Sequence, residues 1–251
     1  MPKTLGWIRR FHQPNAGAAP TLLIFPHAGS GASAYRNFSK ALSANFEVLV
    51  LQYPGRQDRA AEPAARELAE LAAGALNAFL ESEYHRGGPI TVFGHSMGAM
   101  TGFEFVRQAE ASGLAVRLLA ASGAVAPHLV ARMPAHPTED EALLDHLGAL
   151  NGTGAEVLAN REIMRMTLPA LKADYAAFDA YRCGRDVRVA ARMRIMGGAD
   201  DEHVTAHHLR EWSAHSEQEI AVTLFDGGHF YLNDHVAGIA ELLADDVHSA
   251  R

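Results

Sequence analysis

The stretch ITVFGHSMGAMTGFEFVRQAEA (90–111) decides how the chain folds. ITVF is a short, wholly apolar run, as expected for a strand covered on both faces. The run from Ala99 onward has a helical pattern. Between them lies Gly94-His95-Ser96-Met97-Gly98, a G-x-S-x-G sequence in a strand-turn-helix setting. A serine there sits on a sharp turn that lifts its hydroxyl above the sheet. Side chains two residues before and after it would crowd the turn, so both flanking positions are glycine. The helix that follows points its N-terminus at the site and favours negative charge there.

The same alternation recurs on either side. TLLIF (21–25), FEVLVLQY (46–53), RLLAAS (117–122), RMRIMG (192–197) and IAVTLF (220–225) read as further strands. Amphipathic stretches separate them. Leu68, Leu71, Ala72, Ala75 and Phe79 share one helical face, as do Leu232, Val236, Ile239, Ala240, Leu243 and Val247. Repeated strand–helix alternation predicts an α/β fold, a mostly parallel doubly wound sheet. From about residue 125 to 190 no strand pattern occurs. An αβ connection normally takes about 2–6 residues, so this segment is expected to be a helical lid inserted in a core made of 1–124 and 191–251. Thr138 and Glu141 have capping-box spacing ahead of ALLDHLGAL. A second lid helix is expected to begin near Pro169, with Leu168, Leu171, Tyr175 and Phe178 on one side. Met133, Met164 and Met166 are either gap fillers or an adaptable apolar wall.

Composition narrows the class. The 251 residues are 48% hydrophobic and 20% charged, enough apolar material for a packed core. The net charge of −7 disfavours a nucleic-acid partner. No run approaches the roughly 20 apolar residues of a membrane span, and the start lacks a secretory signal core. The one cysteine, Cys183, permits no internal disulfide and fits a cytoplasmic protein.

The remaining site candidates follow in chain order. His229 stands in a glycine-flanked loop after the last strand, where a general base belongs. An orienting carboxylate should end an earlier strand. No carboxylate follows RLLAAS before Glu139, whereas RMRIM leads into Gly197-Gly198-Ala199-Asp200-Asp201-Glu202. The residues alone leave Asp200 and Asp201 both open. An oxyanion hole needs two backbone donors, expected from Met97 and from Ala28 in the loop PHAGSG after TLLIF. His203 and His207 have i,i+4 spacing, but no glutamate follows the first and a solvated helix face is the expectation. No metal or cofactor is expected. Arg56 and Arg59 either anchor a phosphate or fix the turn at Pro54-Gly55. His27 and His95 are expected to be packing residues of their turns.

PHAGSGASAY (26–35), LQYPGRQDR (51–59), FGHSMGA (93–99), LPALKADY (168–175), GADDEHV (198–204) and GGHFYL (227–232) together resemble the type II thioesterases. These are stand-alone editing hydrolases that accompany polyketide synthases and nonribosomal peptide synthetases. The pieces span nearly the whole chain. The resemblance implies an α/β-hydrolase core, a mobile helical lid and cleavage of acyl groups from the phosphopantetheine arm of acyl or peptidyl carrier proteins. Carried over residue by residue, it puts the nucleophile on Ser96, the base on His229 and the acid on Asp201, between Gly198 and Val204. Two departures stand out. Glu202 replaces a proline frequent after the acid, and SGAVAP (122–127) lacks an arginine frequent in that loop. Other functions compatible with the residues are a general carboxylesterase or lipase, an acyltransferase, and a catalytically silent carrier-binding module.

Overall fold

A computed structural model of the chain describes residues 6–15, 19–150 and 161–248, without the side chains of 161–166 and 248. All six expected strands form: β2 (Thr21–Phe25), β3 (Glu47–Leu51), β4 (Ile90–His95), β5 (Val116–Ser122), β6 (Arg192–Gly198) and β7 (Ala221–Phe225). A two-residue strand, β1 (Ile8–Arg9), adds to them. The sheet order is β1-β3-β2-β4-β5-β6-β7; β1 runs antiparallel to β3 and the other neighbours pair in parallel.

Side-chain alternation splits the strands between two cores. Leu22 and Ile24 of β2 face α1 (Arg36–Leu42) and the C-terminal helix, while Leu23 and Phe25 face α2 (Leu68–Leu80) and α3 (Met97–Ala111). The central strands β2, β3 and β4 are buried on both faces for this reason, whereas the edge strand β7 leaves Val222 and Leu224 exposed. The chain builds β3 on one side of β2 and then β4 on the other. That reversal opens a crevice at the carboxyl ends of β2 and β4, where ligands of open α/β sheets bind. Phe25 and Gly94 are register partners at its rim, so the loop after β2 and the turn after β4 begin side by side.

Between β5 and β6 the described chain forms a 3₁₀ turn (Pro127–Arg132), α4 (Asp140–Ala149) and α5 (Arg161–Asp179). Three local expectations need correction. Glu139, not Thr138, caps α4, and it makes no side-chain cap bond. The helix expected to start near Pro169 starts by Arg161 and carries the proline inside it. Proline biases against helix before it but does not forbid it. Met133 packs against the α2/α3 core, while the side chains of Met164 and Met166 lie outside the described ones. The short α6 (Ala206–Arg210) follows β6, with Thr205 capping it through His208. It contains His207 and His208, but His203 precedes it, so the expected i,i+4 pair does not share a helix. α7 (Val236–His248) closes the fold, burying Ile239, Leu243 and Val247. Among the described residues no helix is long and apolar enough to cross a membrane.

Candidate active site

Ser96 adopts φ 55°, ψ −123°, one of two non-glycine residues with positive φ among those described. Crowding holds the turn in that strained shape. A Cβ on Gly94 would lie 2.0 Å from the Gly98 carbonyl oxygen, and one on Gly98 would lie 2.0 Å from that of Phe25. Both obstacles are backbone, so neither glycine tolerates a side chain. The Ser96 amide donates to the Ser122 carbonyl at 2.8 Å, tying the turn to β5. Met97 opens α3, so its amide is one of the helix's free-ended donors.

His229 and Asp201 come from the loops after β7 and β6. These loops interlock: the amides of Ala199 and Asp200 donate to the carbonyls of Phe225 and Gly227 at 2.7 and 2.9 Å. His229 Nδ1 lies 2.7 Å from Asp201 Oδ2. A carboxylate only accepts, so Nδ1 carries a proton, and in the neutral ring Nε2 is the nitrogen with the lone pair. Asp201 Oδ1 accepts from the amides of His203 and Val204 at 2.9 and 3.0 Å. Burial pushes the Asp201 carboxyl up, but the His229 bond and charge and those two amides outweigh it, leaving the pKa lowered. Asp200 instead accepts from the Gly227 amide at 3.3 Å. The structure thus brings Asp201, and not its neighbour, to His229.

Ser96, His229, His27 and Ala28 line one cavity of about 370 Å³. Leu147 and Leu150 of the α4 end, Leu171 and Tyr175 of α5, and Phe230 and Leu232 make its apolar walls. Met133 is not among the lining residues. On sequence grounds the lid segment is expected to form an acyl channel, and Leu147, Leu150, Leu171 and Tyr175 come from it; Phe230 and Leu232 were not singled out as walls.

His27 and His95 pack beside His229, with the His95 ring 5.0 Å from that of His229. Burial, reinforced by the charge of His229, lowers His27 to about 3. Burial likewise drives His95 well down, with His229 and His27 adding to it. Both stay neutral near pH 7. His95 Nδ1 meets Ser122 Oγ at 2.9 Å, and that hydroxyl meets Tyr231 Oη at 2.6 Å. Arg56 and Arg59 turn inward. Arg56 pairs with Asp174 of α5, and Arg59 donates to the Gln52 carbonyl at 2.7 Å and lies 4.5 Å from the Trp7 ring centroid. They fix the fold around Pro54-Gly55 instead of presenting cations to solvent.

The family model of the thioesterase domain matches residues 20–247. The chain belongs to the thioesterase domain family. Among curated relatives, this thioesterase is 37% identical over 245 residues to the probable cadicidin biosynthesis thioesterase of Streptomyces griseus, covering 98% of this chain and 67% of that one. It is 41% identical over 242 residues to the phenyloxazoline synthase MbtB of Mycobacterium tuberculosis, covering 96% of this chain but 17% of the synthase. Among solved structures it is similar to the type II thioesterase BorB from the borrelidin biosynthetic cluster, with 35% identity, a TM-score of 0.83 and coverage of 96% and 97%. The fold is that of the α/β-hydrolases, and the expected resemblance to type II thioesterases is met.

Proposed function

We propose that the chain hydrolyses acyl thioesters held on the phosphopantetheine arm of acyl or peptidyl carrier domains. The observation that carries the proposal is the buried Asp201–His229 pair opening on the cavity that exposes Ser96 at its strained turn. His229 Nε2 takes the Ser96 proton as Oγ attacks the thioester carbonyl. The amides of Met97 and Ala28 hold the oxyanion, and Asp201 keeps the imidazole oriented and stabilises its charged form. The carrier thiol leaves with the proton from His229. Water activated by His229 then attacks the acyl-serine and frees the acid. The neutral His27 and His95 add no positive charge beside the imidazolium.

The apolar walls of α4 and α5 receive the acyl chain, and the 125–190 segment acts as a lid over it. The chemistry needs no metal or cofactor of the protein's own. Its biological use is the clearing or release of acyl groups in polyketide or nonribosomal peptide assembly. That work belongs in the cytoplasm.

The test is a panel of acyl-carrier proteins of graded chain length, treated with wild type and Ser96→Ala and read by mass spectrometry. Free acid and unloaded carrier are expected. Loss of the nucleophile should cut the rate by about 10⁴-fold or more. Undiminished hydrolysis by Ser96→Ala overturns the mechanism. Acyl groups recovered on an amine, alcohol or second carrier make the protein a transferase, and faster turnover of p-nitrophenyl esters than of carrier thioesters makes it a general esterase.

A further inference from the structure

We infer that Asp174 of α5, gripped by Arg56, is a positioning residue that aims the Ala28 amide at the reacting carbonyl. The inference rests on the reading of Ser96 as nucleophile. Asp174 and Arg56 are 3% and 5% exposed. Their contact is bidentate: Asp174 Oδ2 accepts from Arg56 Nη1 at 2.5 Å and Oδ1 from Nη2 at 2.7 Å. Asp174 Oδ2 also accepts from the Gly29 amide at 2.8 Å, across 145 positions of sequence. Leu171, one turn earlier on α5, sits against Gly29 as well. A Cβ there would lie 2.9 Å from its Cδ1.

Arg56 is itself braced. Its Nε donates to the Pro54 carbonyl at 3.3 Å, and Nη1 reaches the Ser30 carbonyl at 3.4 Å. The guanidinium lies 5.2 Å from the Tyr53 ring centroid, and Tyr53 Oη donates to the Pro26 carbonyl at 3.3 Å. The amides on both sides of Ala28 are therefore held: that of His27 donates to Tyr35 Oη at 3.3 Å, and that of Gly29 to Asp174. The Ala28 amide has no hydrogen-bond partner among the described residues. The residues on either side of Ala28 are clamped, while its own amide is left for the reaction.

Stability does not account for the pair. Burying two ions costs several kcal/mol each, and well-packed apolar replacements are frequently as stable or more so. What an apolar pair cannot supply is an acceptor for Gly29. A donor displaced by about 1 Å from the oxyanion costs on the order of 10²-fold in rate.

The test uses the full chain and follows fluorophosphonate labelling of Ser96, p-nitrophenyl ester kinetics and thermal unfolding. Arg56→Met/Asp174→Leu should melt close to wild type yet label about tenfold more slowly or worse. Its kcat should fall by the same factor with KM unchanged, as expected for a contact that matters only in the transition state. Asp174→Asn keeps an oxygen for Gly29 but leaves Arg56 unpaired. It should be less stable than the double variant and faster. A double variant that labels at the wild-type rate overturns the inference, as does a rate that simply follows melting temperature across the set. Should the double variant not fold, Asp174→Asn against Asp174→Ala decides: a faster Asn variant supports positioning, and equal rates refute it. An unlabelled wild type removes the nucleophile and this inference together. A labelled wild type with unaffected variants removes this inference alone.

Discussion

The turn at Ser96 and the loop at Ala28 stand side by side at the carboxyl ends of β4 and β2, and each is proposed to supply one oxyanion donor. They are shaped by different means. The turn is shaped by backbone, with two glycines hemmed in by carbonyl groups and a helix that starts at the next residue. The loop is held by side chains, those of Tyr53, Arg56 and Asp174. Backbone walls leave no tolerance. Side-chain walls leave some, because side chains can yield where carbonyl oxygens cannot.

The sharpest way to break this contrast is Gly98→Ala. With the Phe25 oxygen 2.0 Å from the new Cβ, β2 and α3 must separate. We expect a loss of about 3 kcal/mol or more in urea unfolding. A wild-type midpoint would show that the turn has slack it is said to lack. Gly29→Ala probes the loop in the same way and should do less. Its φ of +73° strains an L-residue, but the obstruction is the Leu171 side chain. A loss of about 1–2 kcal/mol is expected. A cost equal to that of Gly98→Ala would erase the distinction.

A further effect appears only in acid, where the two regions agree: the turn holds a buried histidine and the loop a half-buried one, and both are kept neutral. His27 falls from 6.5 to about 3 on folding. Below about pH 6.5 the unfolded chain takes up a proton that the folded chain refuses, so the stability present above that pH declines as pH falls toward 3. His27→Gln should flatten the pH dependence between pH 6 and 4 by nearly one proton, about 1.4 kcal/mol per pH unit. Unfolding titrations at several pH values measure it, and an unchanged slope would place the acid sensitivity elsewhere.

Legibility in the sequence follows how many neighbouring residues carry a feature. The six strands, the Ser96 turn and His229 announce themselves through runs of a few neighbouring residues. β1 does not, because a two-residue edge strand has no period to detect. Asp201 could not be told from Asp200 by residue type, since the choice depends on which carboxylate the β6–β7 loops turn toward His229. The role of Asp174 was missed, although a signal existed. It interrupts the apolar face of Leu171 and Tyr175, and a carboxylate there must find a partner when the helix packs. In sequence Arg56 reads equally as a phosphate anchor or a turn brace, because nothing near it shows the carboxylate 118 positions away.

Helix α5 both walls the cavity, through Leu171 and Tyr175, and holds the loop, through Asp174. The α4 end lends only wall, at Leu147 and Leu150. On the proposed function, retuning the acyl preference, by natural drift or by design, therefore has an unequal pair of routes. Changes at Leu147 and Leu150 alter what fits while leaving the reactive geometry alone. Changes along α5 that turn or shift the helix alter both at once, so new chain-length preferences should arise more readily through α4.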